Sequence, residues 1–293
     1  MLENFKDKIQ SLIEYLPPIP GVMNDLIKLL NAGNCDVREI SDLIEKDPSL
    51  SVNILRIANS AFYGLPYKVS SLQQAVNLIG LKELASLCMF CSIGPALKPP
   101  AGMKTIDLKM FWRHSIATGI IAKIFCREFS IGVREDLYLA GLIHDIGKII
   151  IDRSDHDVYS EVVRLTYDNN VSIGEAENKI IGESHSSIGS WLLEKWKLPR
   201  MFIETAAYHH SVRDASEEHR ELVAVVSLAD QIARLRGFGF GGDMRGTIIN
   251  ETEAFAIVRD GNPHVKDIDL AGFVMDLDRA DSEISELEKI ING

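Results

Sequence analysis

No apolar stretch in this sequence approaches the roughly 18 consecutive residues that a bilayer-spanning helix needs, so no membrane segment is expected. The opening MLENFKDKIQSLIEYL sets acids among its apolar positions and has neither a compact hydrophobic block nor a small-residue cleavage site, unlike a signal peptide. A cytoplasmic location is the expectation. Positive charge is also in deficit: 31 basic against 42 acidic residues give a net charge of -11, with no basic cluster, which argues against a nucleic-acid partner. Cysteine is scarce. The four present, Cys35, Cys88, Cys91 and Cys126, lack the density of a secreted disulfide scaffold. Cys88 and Cys91 form a lone CxxC among apolar neighbours, with no second pair to complete a metal site, and read as core packing. Strand signals are few as well.

What is present is helical. The 293 residues, 46% hydrophobic and 25% charged, match a globular protein long enough for two lobes. In DPSLSVNILRIANSAFYG, Asp47 caps a helix, Pro48 suits its first turn and Gly64 can end it; DVREISDLIEK and SSLQQAVNLIG repeat the logic from Asp36 and from Ser70 or Ser71. These segments predict an all-α fold of two helical lobes. Residues 1–97 form the first, KPPAGMK at 98–104 a Pro- and Gly-rich linker, and 105–236 the second. EDLYLAGLIHDIGKIIID is one of the segments of that second helical lobe. Residues 237–293 begin with GFGFGGD, a flexible turn, and continue as an acidic extension with one or two small helices.

The histidines carry the chemical signal. Of eight, His114, His144, His185, His209 and His210 fall with Asp145 and Asp230 on or beside helical segments of the second lobe. A buried imidazole or carboxylate needs a partner, and a metal ion satisfies several at once. If helical, His144 and Asp145 project about 100° apart and reach a shared centre only when other helices bring ligands; His114 and Asp230 are suitable donors. His185, His209 and His210 could add a second ion, with Asp145 bridging the two. Such a mixed donor set suits one or two divalent ions of iron, manganese or zinc. His156, His219 and His264 lie in acidic, loop-like stretches and read as solvated. Trp112, Trp191 and Trp196 read as core.

The order His114, His144-Asp145, Asp230 resembles the HD superfamily of metal-dependent phosphohydrolases, and HDIGK followed by His185 and His209-His210 resembles its HD-GYP and HDOD branches. LPPIPGVMNDLIKLL, DPSLSVNILRIANSAFYG, VSSLQQAVNLIGLKEL, HSSIGSWLLEKWKLP and AAYHH are similar to HDOD domains, over roughly residues 12–236. The resemblance implies an HD-like helical bundle for the second lobe. It also departs from HD-GYP enzymes: HHSVRDASEEHRE replaces their GYP loop, and Met110 stands where some place a further carboxylate, leaving room for at most two ions.

Two functional readings follow. HDOD resemblance implies a signal-transduction output module with a protein partner or nucleotide ligand. Retention of the His/Asp set implies a phosphohydrolase acting on a nucleotide or cyclic dinucleotide, with Asp145 bridging ions or holding water and Lys148 facing a substrate phosphate. The first is favoured, because a fold with its ligands does not establish turnover.

Overall fold

In a computed structural model of the chain, residues 2–16, 21–31, 36–60, 63–99, 103, 106–132, 136–243 and 245–292 are described. They are helical, with no strand among them. The helices are α1 (Leu2–Tyr15), α2 (Gly21–Asn31), α3 (Val37–Glu45), α4 (Pro48–Ala58), α5 (Leu72–Ile79), α6 (Leu81–Leu97), α7 (Leu108–Glu128), α8 (Leu137–Ile143) and α9 (Gly147–Ser154). After them come α10 (His156–Asn169), α11 (Ile173–Ile180), α12 (His185–Lys195), α13 (Arg200–Tyr208), α14 (Arg220–Leu235), α15 (Glu253–Gly261), α16 (Leu270–Asp276) and α17 (Asp278–Asn292). No described helix is long and apolar enough to cross a membrane.

The chain divides into two compact units, one of Met1–Leu16 with Pro99–Ala280, the other of Pro17–Lys98 with Asp281–Gly293. The expected lobe at 1–97 is therefore corrected at its start. Helix α1 packs on α9 and α12, burying Ile9, Ile13 and Leu16, because its apolar positions fit that surface. Of the expected linker, Pro100, Ala101, Gly102 and Lys104 lie outside the described residues, as does Cys35.

In the unit that contains residues 17–98, local capping chemistry sets the helices. The Asp36, Asp47 and Ser71 side chains accept from the backbone N–H groups of Arg38, Leu50 and Gln74. Helix α4 stops at Ala58, earlier than Gly64, because the Asn59 side-chain amide bonds both Leu55 and Val69 and turns the chain. Cys88 is buried and Cys91 half-buried on α6, where burial raises both thiols, that of Cys91 to about 12, so both sulfurs stay protonated.

In the other unit, α7, α8 and α14 form the frame of the site. Helices α7 and α8 cross with their backbones in contact: a Cβ at Gly141 would fall 2.6 Å from Gly119 Cα, so only glycine permits this approach. The segment 136–152 is not continuously helical. His144, Asp145 and Ile146 make a turn between α8 and α9, and α9 starts at Gly147, whose Cβ would lie 2.0 Å from the His185 carbonyl oxygen. This contact sets the His144-Asp145 turn against the first residue of α12.

The C-terminal stretch holds more helix than expected, with α15, α16, α17 and two short 3-10 turns. Trp112 and Trp196 are buried, and Trp191 carries the Lys6 ammonium over its ring.

Candidate metal centre

The sequence-predicted residues meet at the turn between α8 and α9. His114 comes from the second turn of α7, His185 from the start of α12, His209 and His210 from the turn after α13, and Asp230 from α14. All are buried except His210, which is exposed. Asp145 stands in the middle and uses its two oxygens differently. Oδ1 lies 3.3 Å from His185 Nε2 and 3.5 Å from His209 Nε2; Oδ2 lies 3.2 Å from His144 Nε2 and 3.5 Å from His114 Nε2. Asp230 Oδ1 closes the second group, 3.0 Å from His114 Nε2 and 3.8 Å from His144 Nε2.

Hydrogen bonding fixes which imidazole nitrogens can act as ligands. A carbonyl oxygen only accepts, so a ring nitrogen facing one must donate. His144 Nδ1 donates to Gly141 O at 2.7 Å, and His209 Nδ1 donates to Thr205 O and Ala206 O at 3.1 and 3.0 Å. His185 Nδ1 sits 2.6 Å from Glu177 Oε2 and donates to it. With Nδ1 committed, the Nε2 atoms turn toward the centre: His185 Nε2 is 3.3 Å from His209 Nε2 and 3.2 Å from His210 Nε2. Nitrogens this close must either share a proton or, if they meet lone pair to lone pair, share a cation.

The donor chemistry fits a divalent metal. His144 Nε2, Asp145 Oδ1 and both nitrogens of His114 are buried without a hydrogen bond, a cost that an ion among them would remove. The ligand atoms of Asp145, His185, His209 and His210 lie within 4.8 Å of one another, as do those of His114, His144 and Asp145. Imidazole nitrogens and carboxylate oxygens suit iron, manganese or zinc.

Charge within the cluster is strongly perturbed. Burial holds the His185 imidazole well below its usual range, aided by the Lys148 charge, so the ring is neutral. Burial also lowers His114. For His144 burial is outweighed by the Asp145 carboxylate, which lifts the ring to about 9. Asp145 and Asp230 are held well below the carboxylate range despite burial, by His144 and Lys148 in the first case and by Arg234 and His114 in the second.

Lys148 is buried, neither at the surface nor open to a cleft. Its ammonium donates to Asp145 Oδ2 at 2.5 Å and to Gly241 O at 2.7 Å. That carbonyl belongs to the stretch expected to be a flexible turn, and here the structure differs. Gly239 has φ +75°, and a Cβ there would fall 2.3 Å from Met110 O and 2.4 Å from His114 N. Phe240 N donates to Met110 O, and Asp243 accepts from Ile173 N at 2.9 Å and Arg234 at 3.1 Å. Residues 239–243 are therefore a strap packed over the cluster, and glycine is needed for contact rather than for motion.

Several supporting residues were missed from the sequence. Glu177 holds His185, Arg234 lies 3.5 Å from Asp230, and Asp243 ties the strap to α11. The spacing Asp230 to Arg234, one helical turn, was a usable signal for Arg234. Glu177 and Asp243 gave none, because their partners are distant or lie across a loop. His219, expected to be solvated, is buried against Ser216, and His156 is half-buried with Nδ1 2.7 Å from Asp152. His264 is exposed and reaches Phe129 O.

Beside the cluster an open cleft of about 490 Å³ is lined by His210, Arg234, Arg245, Thr247, Ser172 and Glu175, among others. Arg245 pairs with Glu175 at 3.1 Å while remaining half-exposed.

Comparison with known proteins agrees with this architecture. A Geobacter sulfurreducens HDOD domain protein of unknown function is 25% identical, with a TM-score of 0.78 over 99% of both chains. A Shewanella amazonensis SB2B protein proposed to be a phosphohydrolase is 22% identical, with a TM-score of 0.72 over 97% of this chain and 98% of that one. An uncharacterised Treponema pallidum protein is 23% identical over 77% of this chain, which spans only 44% of that relative's length. The HDOD domain model matches residues 16–212, from the end of α1 to the loop beyond His210, and the chain belongs to the HDOD family.

Proposed function

We propose that this protein is an HDOD signal-transduction module whose His/Asp cluster holds one or two divalent ions of iron, manganese or zinc, next to a cleft for a nucleotide or a signalling partner. The observation that carries the reading is the approach of His185 Nε2 to the Nε2 atoms of His209 and His210, at 3.3 and 3.2 Å, with Asp145 Oδ1 at 3.3 Å from the first. Family membership supports the signalling role. The exposed His210, shared by cluster and cleft, supports access of a ligand to the centre.

A second reading, metal-dependent phosphohydrolase, is favoured by the same His210 together with Arg234 and Arg245 in the cleft wall. When bound, a divalent ion lowers the pKa of a coordinated water and withdraws charge from a phosphoryl oxygen. The chain's own residues would divide the remaining work. Arg245, open to the cleft, would meet a phosphate by releasing Glu175. Lys148 would hold Asp145 in place, since Asp145 and Gly241 already take its ammonium.

The test is metal content by elemental analysis of wild type and Asp145→Ala, alongside turnover of an aryl phosphodiester. Metal lost in the variant without turnover by wild type is the outcome expected for the module. Metal-dependent turnover would move the assignment to the hydrolase, and wild type that takes up no metal would end both readings.

A further inference from the structure

We infer that Glu177 is a positioning residue for this centre: one carboxylate oxygen fixes the His185 ring and keeps its Nε2 free and electron-rich for a divalent ion. Glu177 lies on α11 and His185 is the first residue of α12, so the contact joins two helices across a short turn. Glu177 Oε2 accepts twice, from His185 N at 2.8 Å and from His185 Nδ1 at 2.6 Å. Both side chains are wholly buried, and Glu177 Oε1 has no hydrogen-bond partner.

Capping α12 does not require this carboxylate. The Ser184 side chain already caps that helix by accepting from Ser187 N, and a neutral amide oxygen could accept from His185 N at less desolvation cost. What a carboxyl adds over an amide is the ability to ionise beside Nδ1: burial raises Glu177 to about 8, and a cation held at the opposite His185 nitrogen would draw it to the charged form. An imidazole that donates to an anion has one tautomer, one ring orientation and a more basic opposite nitrogen, the arrangement that outer carboxylates give to metal-bound histidines. That opposite nitrogen, His185 Nε2, is the atom that meets His209, His210 and Asp145. The inference rests on the metal-centre reading above.

Glu177→Gln keeps the shape and an acceptor oxygen for both His185 donors while removing the group that can ionise. Co2+ binding to the full chain is measured by calorimetry and by ligand-field absorption, with melting curves of the metal-free proteins beside it. The expected result is a metal-free melting temperature at or above that of wild type, with Co2+ affinity reduced about 10- to 100-fold. Wild-type affinity in Glu177→Gln would overturn the role of Glu177 and leave the centre standing. Weaker binding accompanied by an equally weakened metal-free fold would reduce Glu177 to a structural link and overturn the inference. Wild type that binds no Co2+ would fail at the centre itself, and the inference with it.

Discussion

Lys148 sets its ammonium 2.5 Å from Asp145 Oδ2, one turn away along the chain, with both side chains buried. Removing one partner of a buried pair leaves the other charge uncompensated, at a cost of about 3–5 kcal/mol. Lys148→Met, which keeps much of the volume, is predicted to lose about 1–3 kcal/mol in the metal-free protein, less than for an isolated pair because His144 still faces Asp145 at 3.2 Å. Added Zn2+ should restore part of the loss by neutralising Asp145. Urea unfolding with and without Zn2+ measures both effects, and a Lys148→Met midpoint equal to that of wild type would refute the first.

Asp145 faces both groups of imidazoles, whereas His210 belongs to one. Asp145→Ala is therefore expected to abolish metal uptake, and His210→Ala to weaken it while leaving uptake measurable. Elemental analysis across a series of metal concentrations separates the two. Equal loss in both variants would mean that the groups do not act separately.

Away from the centre, Glu204 gives a pH prediction. Its carboxylate accepts from Ser216 N and Oγ at 3.0 and 2.8 Å and from Arg200 Nε at 2.9 Å. Burial raises its pKa, but the Ser216 and Arg200 hydrogen bonds outweigh that and hold the carboxyl below its ordinary value. A depressed carboxyl stabilises the fold above its unfolded pKa of about 4.3, and the contribution is lost as pH falls through the folded value. Glu204→Gln should cost about 1–3 kcal/mol at pH 7. Thermal melts from pH 7 to pH 3 should show the gap to wild type closing in acid; a gap independent of pH would contradict this account.

The strap and the residues just before it offer a contrast between two glycines of positive φ. Gly237 has φ +68° with open space around its Cβ position, while Gly239, at φ +75°, is pressed against the α7 backbone. Gly237→Ala should cost about 1–2 kcal/mol, the penalty of left-handed backbone alone. Gly239→Ala carries that penalty plus a clash with Met110 O and His114 N, and should cost at least about 3 kcal/mol. Denaturant midpoints of the two variants rank them, and equal values would show that the strap is not seated on α7.

The features legible in the sequence are local ones. Asp47, Pro48 and Ser71 mark helix starts because capping acts over a few residues, and the structure has α4 and α5 beginning there. The candidate ligands were nameable because histidine and aspartate are costly to bury, but their meeting in space came from family resemblance, since spacing alone cannot bring α7, α12 and α14 together. The break at His144–Ile146 was hidden by an unbroken apolar pattern on both sides of it. The strap was misread because GFGFGGD has the composition of a free turn, and only its contacts with Met110 and His114 reveal why its glycines are needed. Glu177 was invisible for a similar reason: EAENK looks like any solvated helix, and its burial comes from packing elsewhere in the chain.

The division into units is interleaved along the chain: α1 belongs with residues from 99 onward, and the end of α17 belongs with residues 17–98. The apolar face of α1 is covered by α9 and α12, from much later in the sequence. Neither compact unit is therefore built from one continuous stretch of sequence, and each needs segments that lie far apart along the chain.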